Sequence, residues 1–214
     1  RRVLQLAKRD RPEPVITERQ LRLALQGSGQ DQRRREGFRY AAVAVVVWFP
    51  PRRGPEVLLI RRTEHPGDPW SGHMAFPGGR EDASDVSLLQ TATRETLEEV
   101  GLDLEATAEP LGRLRDVDAV ARAKRINLVI APHVFLLRTM PPRLVLDPRE
   151  VAEALWTNLG PMYRGEVDTT TRYTHEGRPL DLPGFSVGDR VVWGLTHRML
   201  ELFFARLREG SCTR

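Results

Sequence analysis

The sequence predicts an α/β protein with a mixed sheet and helices on both faces. Three observations carry that expectation. A β-branched apolar run, AAVAVVVWF from Ala41 to Phe49, has the length and composition of a buried strand. A second run, INLVIAPHVFLL, has the same character. Between and after them stand two helical patterns, one ending at Gly101 and one over Val191–Leu207, so that strands and helices alternate.

The chain's 214 residues suffice for one domain with a full core, and 40% apolar with 29% charged residues is an ordinary globular balance. No run approaches the roughly 18 apolar residues of a membrane span, so no membrane partner is expected. The single cysteine, Cys212, excludes an intramolecular disulfide and any Cys-clustered zinc or iron–sulfur site, and points to a reducing cytoplasm. No basic-then-apolar signal segment is expected at the start. The net charge is +4, but residues 1–39 hold 11 basic and 5 acidic side chains and the rest hold 22 and 24. The globular part is therefore no basic platform for nucleic acid, and the Arg-rich arm reads as a solvated segment. The expected division is an arm over residues 1–39 with a short helix, then one domain over 40–210.

In chain order, Thr17–Gln26 reads as a helix, with Thr17 as N-cap and Gln20 three residues on. GSGQDQRRREG follows as a flexible link. Ala41–Phe49 and Val57–Arg61 are strands joined through PPRRGP. A long loop, TEHPGDPWSGH, leads to a short MAF strand and to Pro77-Gly78-Gly79. A helix starting near Ser84 or Asp85 stops at Gly101, placed as a C′ glycine. Gly112–Arg125 is a mostly polar stretch, INLVIAPHVFLL a strand and LVLD another, while EVAEALWTNLG starts a helix. Gly165–Gly188 reads as a loop, and Val191–Leu207 as the closing amphipathic helix. Trp48, Trp156, Trp193 and His133 are expected in packing roles, as are Trp70 and His73 in the loop, for which shaping a substrate pocket is the alternative. Asp116 and Asp118 are expected in a solvated turn.

The central helix holds the chemistry. At about 100° per residue, with Glu95 at zero, Glu98 falls near −60° and Glu99 near +40°. The three share one side, and Leu89, Ala92, Thr93, Thr96, Leu97 and Val100 form a separate expected core stripe. Like charges three or four apart destabilise a helix by roughly 0.2–0.5 kcal/mol per pair, which the Arg94–Glu98 pairing partly offsets. A divalent cation would remove the repulsion, and hard oxygen ligands suit Mg²⁺ or Mn²⁺. The Gly78-Gly79 corner lets backbone carbonyls approach closely.

These residues resemble the signature of the Nudix hydrolase family, G-x5-E-x7-R-E-U-x-E-E-x-G-U, where U is a bulky aliphatic residue. From Arg94 onward the match runs Arg94, Glu95, Glu98, Glu99, Gly101, Leu102, with Thr96 at the first U. In the front half Asp85 replaces a glutamate, and eight residues separate it from Arg94. The resemblance implies an α/β/α sandwich and hydrolysis of the diphosphate linkage in a nucleoside diphosphate joined to another group. It further implies Glu95, Glu98 and Glu99 as ligands of Mg²⁺ or Mn²⁺, a carbonyl from Gly78 or Gly79, and Arg94 as an orienting residue. Glu95, Arg94 and Glu99 are the expected catalytic set. Glu95 is the first candidate for the base, with Glu150 and Glu153 behind it.

LLIRRTEHPGDPWSGHMAFPGG is similar to the stretch before FPGG in the coenzyme A diphosphatase branch of that family, through Leu58, Leu59, Arg62, Gly72, Phe76, Pro77, Gly78 and Gly79. Pro66-Gly67 stands where that branch carries Leu-Arg, so a phosphate-binding arginine is missing from its place. Arg62, Phe76, Arg80 and Glu153 are the expected substrate-binding residues. The expected substrate is coenzyme A or an acyl-CoA, with ADP-ribose or another nucleotide sugar as the alternative. Two further readings stand beside it: a non-catalytic nucleotide-binding module, and a nucleic-acid-associated protein whose arm tracks phosphates. A homodimer is possible.

Overall fold

The computed structural model describes residues 16–28, 34–68, 70–121, 124–175 and 178–211. The Arg/Pro-rich lead, part of the polar link and Cys212 lie outside them. Two strands form the spine: β1, Arg39–Trp48, and β7, Lys124–Leu137, run parallel, with Tyr40 beside Val129 and Val47 beside Leu136. On one side β2, Glu56–Arg62, pairs antiparallel with β1, and β3, Met74–Ala75, pairs with β2. The three-residue β4, Gly78–Arg80, also pairs with β1. On the other side β5, Ala108–Arg113, and β6, Val117–Ala121, pair antiparallel with β7. The sheet is mixed, as expected.

Both faces of this sheet are covered, which explains why β1 is apolar at almost every position rather than alternating. Ala41, Val43, Val45 and Val47 face one layer, with α1, Glu18–Leu25, and α5, Gly194–Ser211. Leu21 and Leu25 of α1 and Phe203, Phe204 and Leu207 of α5 are buried there. Tyr40, Ala42, Ala44 and Val46 face the other layer, with α2, Leu88–Val100, and α3, Leu104–Thr107. Thr17 caps α1, its hydroxyl accepting from the Gln20 N–H at 3.1 Å.

Five sequence expectations are corrected. EVAEALWTNLG does not start a helix. It forms strand β8, Val151–Asn158, paired antiparallel with β2, and only then a short α4, Leu159–Tyr163. The open edge of β2 demands backbone partners, and that long-range demand overrides the helical preference of Ala, Glu and Leu. LVLD is not a strand. The Val145 and Asp147 N–H groups instead donate to the Val100 and Glu99 carbonyls, at 2.9 Å each, satisfying the end of α2. Gly165–Gly188 is largely a hairpin of β9, Asp168–His175, and β10, Arg178–Val187, which β11, Arg190–Trp193, extends to three antiparallel strands. β11 also takes the first turn expected of the closing helix. The polar stretch at Gly112–Arg125 supplies the end of β5 and all of β6.

Candidate active site

Helix α2 begins at Leu88, capped by the Ser87 hydroxyl on the Gln90 N–H, and ends at Gly101 with φ +67°. Asp85 stays outside it. The carboxylate of Asp85 takes two parallel bonds from Arg94, Nε to Oδ1 at 2.9 Å and Nη2 to Oδ2 at 2.8 Å, and a third from Thr91. These bonds, Arg94 first, hold its carboxyl well below the usual carboxylate range. Arg94 Nη2 also donates to the Arg80 carbonyl at 3.1 Å, tying α2 to β4. Arg94 is thus an anchor between helix and corner.

The core stripe of α2 differs from the expected one. Buried positions are Leu88, Thr91, Ala92, Thr96, Glu99 and Val100, while Leu97 is 50% exposed. On the wheel the buried arc is centred near +50°, at about 100° per residue, so Glu99 lies in its middle and Glu95 at its edge. The acidic side and the buried side overlap. Glu99 is 1% exposed. Its Oε2 accepts from the Gly78 N–H at 2.8 Å, and its Oε1 is buried without a hydrogen-bond partner among the described residues. Burial pushes this carboxyl up to about 8, against the Gly78 bond that lowers it. Glu95 is likewise raised by burial, although Arg94 Nη1 donates to it at 2.9 Å. Glu98 is exposed and accepts from the same Nη1 at 3.1 Å.

The glycine corner fits around these carboxylates. Gly78 has φ +147°, and a Cβ there would meet the Ala42 carbonyl and sit 2.6 Å from the Val43 Cα. A Cβ on Gly79 would sit 2.6 Å from Glu95 Oε1. Only glycine leaves Glu95 its place.

The corner opens into a cleft of about 1390 Å³. Glu95, Glu98, Glu150 and Asp68 line it with Arg62 and Arg80: four carboxylates against two guanidinium groups. Arg62 Nη2 donates to Asp68 at 3.1 Å, and its Nε is buried without a hydrogen-bond partner among the described residues. Phe76 is 1% exposed, packed into the α5-side core beneath the cleft. Glu153 does not line the cleft: Arg190 Nη2 lies 2.5 Å and Arg61 Nε 3.6 Å from its Oε2. Glu150, whose carbonyl accepts from the Thr63 N–H at 2.8 Å, does line it.

In the far wall, the contribution of Tyr173 and Trp193 was not foreseen. Tyr173 of β9 lies 5.6 Å from Trp193 of β11, which lies 4.4 Å from His73 (ring centroids), and all three face the cleft with Trp70. Leu195, Met199 and Leu128 complete an apolar end. The Thr-rich alternation TTTRYT was the only signal for this strand. Of the residues expected in packing roles, His133 is buried, whereas Trp70, His73 and Trp193 serve packing and the cleft together. Asp116 and Asp118 do not approach the cleft; they accept from Arg113 and Arg35.

The carboxylates suit a hard divalent cation by donor type and charge, and the orphaned Glu99 Oε1 marks an unfilled demand for positive charge. Among the described residues, however, no three His, Cys, Asp or Glu side chains are gathered at one point. Glu95 and Glu98 share Arg94 instead.

Residues 39–171 match the NUDIX domain family. The chain belongs to the Nudix family and is a hydrolase of its diphosphate-cleaving kind, a family that generally uses divalent metal ions. It is 38% identical over 148 residues to an uncharacterized protein of Schizosaccharomyces pombe, a match spanning 61% of this chain and 45% of that protein. It is 30% identical over 174 residues to the mitochondrial coenzyme A diphosphatase NUDT8 of Mus musculus, spanning 80% of each chain. The NUDIX domain of Shewanella oneidensis NrtR, crystallised with ADP ribose, superposes with a TM-score of 0.51 at 20% identity, over 91% of this chain and 98% of that one. That likeness concerns the fold. Among the described residues no helix is long and apolar enough to cross a membrane.

Proposed function

We propose that the protein hydrolyses the diphosphate linkage of a nucleoside diphosphate derivative, coenzyme A or an acyl-CoA first, with Mg²⁺ or Mn²⁺ as cofactor. One observation carries the reading: a cleft with a surplus of carboxylates has behind its Gly78 wall the buried Glu99, which accepts from the Gly78 N–H and keeps one unsatisfied oxygen. An anionic diphosphate would be repelled by such a wall unless positive charge stood between them. In this reading Glu95, Glu98 and Glu99, with a carbonyl of Gly78 or Gly79, hold the cation. When bound, it would neutralise the phosphoryl oxygens and make water more acidic.

The chain's own groups do the rest. Arg94 positions Glu95 and Glu98 and fixes α2 to the glycine corner. Glu95, its proton affinity raised by burial, accepts the proton of the attacking water, with Glu150 as the other cleft carboxylate able to do so. One water adds across one phosphoanhydride bond, leaving two phosphate monoesters. Arg62 and Arg80 face the phosphates.

The mouse relative's name supports coenzyme A over ADP-ribose. Incubation with coenzyme A, acyl-CoAs, ADP-ribose and NADH, with products identified by mass, tests the choice. Release of 3′,5′-ADP is the expected result, and release of AMP from ADP-ribose alone would reassign the substrate. A non-catalytic module is disfavoured because Arg94 and all three helix glutamates are present. A cytoplasmic location, resting on the single cysteine, and a homodimer belong to the proposal. Cell fractionation tests the first, since the mouse relative is named as mitochondrial, and light scattering tests the second.

A further inference from the structure

Beside the cleft, and sharing Arg80 with it, lies a smaller cavity of about 270 Å³. Four arginines line it, Arg34, Arg35, Arg39 and Arg80, with two aromatic rings and Glu81. Two of these arginines are fixed in place. Arg34 lies 4.8 Å over the Tyr40 ring and donates to Glu81 at 2.6 Å. Arg35 lies 4.0 Å over the Phe38 ring and donates to Asp118. Arg39 and Arg80 make no side-chain ion pair among the described residues. Four guanidinium groups against Glu81 and Asp118 leave a surplus of positive charge, opposite in sign to the carboxylate-rich end of the cleft.

The sheet register places two of the pocket's arginines, Arg39 and Arg80, on the cleft side of the sheet. Ala41 pairs with Arg80 and Ile130, and Arg39 pairs with Leu128. Ala41, Arg80, Ile130 and Leu128 all line the cleft, so Arg39 stands on the same face of the sheet. Alternate residues of a strand are about 6.7 Å apart, so Arg39 lies roughly 13 Å along β1 from Val43, which pairs with Gly78 at the carboxylate end. That span leaves room for a sugar between two phosphate sites.

We propose that this basic pocket is a second anion subsite, which takes a phosphomonoester carried on the nucleoside part of the substrate, apart from the diphosphate. The assignment rests on the reading that the cleft takes a nucleoside diphosphate derivative. Guanidinium groups suit it because their forked donors match phosphate oxygens: Arg39 and Arg80 can supply those donors, while Arg34 and Arg35, held by Glu81 and Asp118 and by the rings beneath them, add fixed positive charge.

The test uses the full chain and two ligand pairs that differ only in that phosphate. In calorimetric titration, wild type binds adenosine 3′,5′-bisphosphate about ten- to a hundredfold more tightly than AMP, the range expected for hydrogen bonds between charged groups. Arg39→Gln removes that preference and leaves AMP binding unchanged, and Arg39→Lys recovers part of it. In turnover, Arg39→Gln raises KM for coenzyme A toward that for dephospho-coenzyme A, with kcat on dephospho-coenzyme A unaltered. Equal binding of bisphosphate and AMP by wild type would overturn the proposal, as would an unchanged preference in Arg39→Gln. Inorganic phosphate binding as tightly as the bisphosphate would mark a general anion site and overturn it too. If neither coenzyme is cleaved, the coenzyme A reading fails, while the binding comparison still decides the subsite.

Discussion

Replacing Glu99 by glutamine isolates the most unusual group in the protein. Folding moves this carboxyl from an ordinary value of 4.5 to about 8, because its charged form is desolvated. A group with a raised folded value stabilises the fold in its protonated form, so its contribution is lost as pH rises toward 8. The penalty works out at about 2 kcal/mol at pH 6 and about 4–5 kcal/mol at pH 8.5, as orders of magnitude. Glutamine keeps an oxygen for the Gly78 N–H but carries no charge. In thermal unfolding with EDTA, wild type should therefore lose about 2–3 kcal/mol more than Glu99→Gln between pH 6 and pH 8.5, or about 5–10 °C in Tm. Titrating groups remote from Glu99 are common to both proteins and drop out of the difference; Glu95 and Glu150, which repel the Glu99 charge, couple to it. Mg²⁺ or Mn²⁺ at pH 8.5 should stabilise wild type and leave Glu99→Gln almost unmoved. Parallel pH curves for the two proteins would refute the assignment of a desolvated charge to Glu99.

Glu95→Gln should lower turnover by about 10²–10⁴-fold, the usual contribution of a positioned base, with the far-ultraviolet dichroism unchanged. The two corner glycines should separate fold from function. In Gly78→Ala the new methyl meets rigid backbone at Ala42 and Val43, so expression and Tm should fall, whereas in Gly79→Ala it meets the movable end of Glu95, so Tm should hold while activity drops. Arg94→Met leaves buried Asp85 without its cation and should cost about 2–3 kcal/mol in urea unfolding. Arg94→Lys, which keeps the charge but not the two parallel bonds, should recover only part of that loss.

Local signals were the most legible. The spine strands β1 and β7 announced themselves as long, mainly apolar runs containing several β-branched residues, and Gly101 marked the end of α2 because a left-handed cap there favours glycine. The glycine corner and Glu95, Glu98 and Glu99 could be placed beside one another because the helix wheel is a local rule. The same wheel misjudged which arc is buried: Gly78 and the end of the 141–147 segment close over Glu99, and neither closure is encoded within the helix. β8 was hidden for a similar reason, since its strand state depends on the edge of β2 and not on its own residues. The aromatic wall needs β9 and β11 brought against His73, contacts between residues far apart in the chain. Propensity and periodicity carry no information about such pairings.

In the proposed mechanism the acidic side of α2, partly buried, holds divalent cations for cleavage of a diphosphate. Electron paramagnetic resonance of Mn²⁺ mixed with the full chain measures this without a turnover assay. Wild type should show bound Mn²⁺, strengthened by a non-hydrolysable diphosphate analogue, and a folded Glu95→Gln, Glu98→Gln, Glu99→Gln triple variant should leave Mn²⁺ free. Free Mn²⁺ with wild type, or equal binding by both proteins, would contradict it.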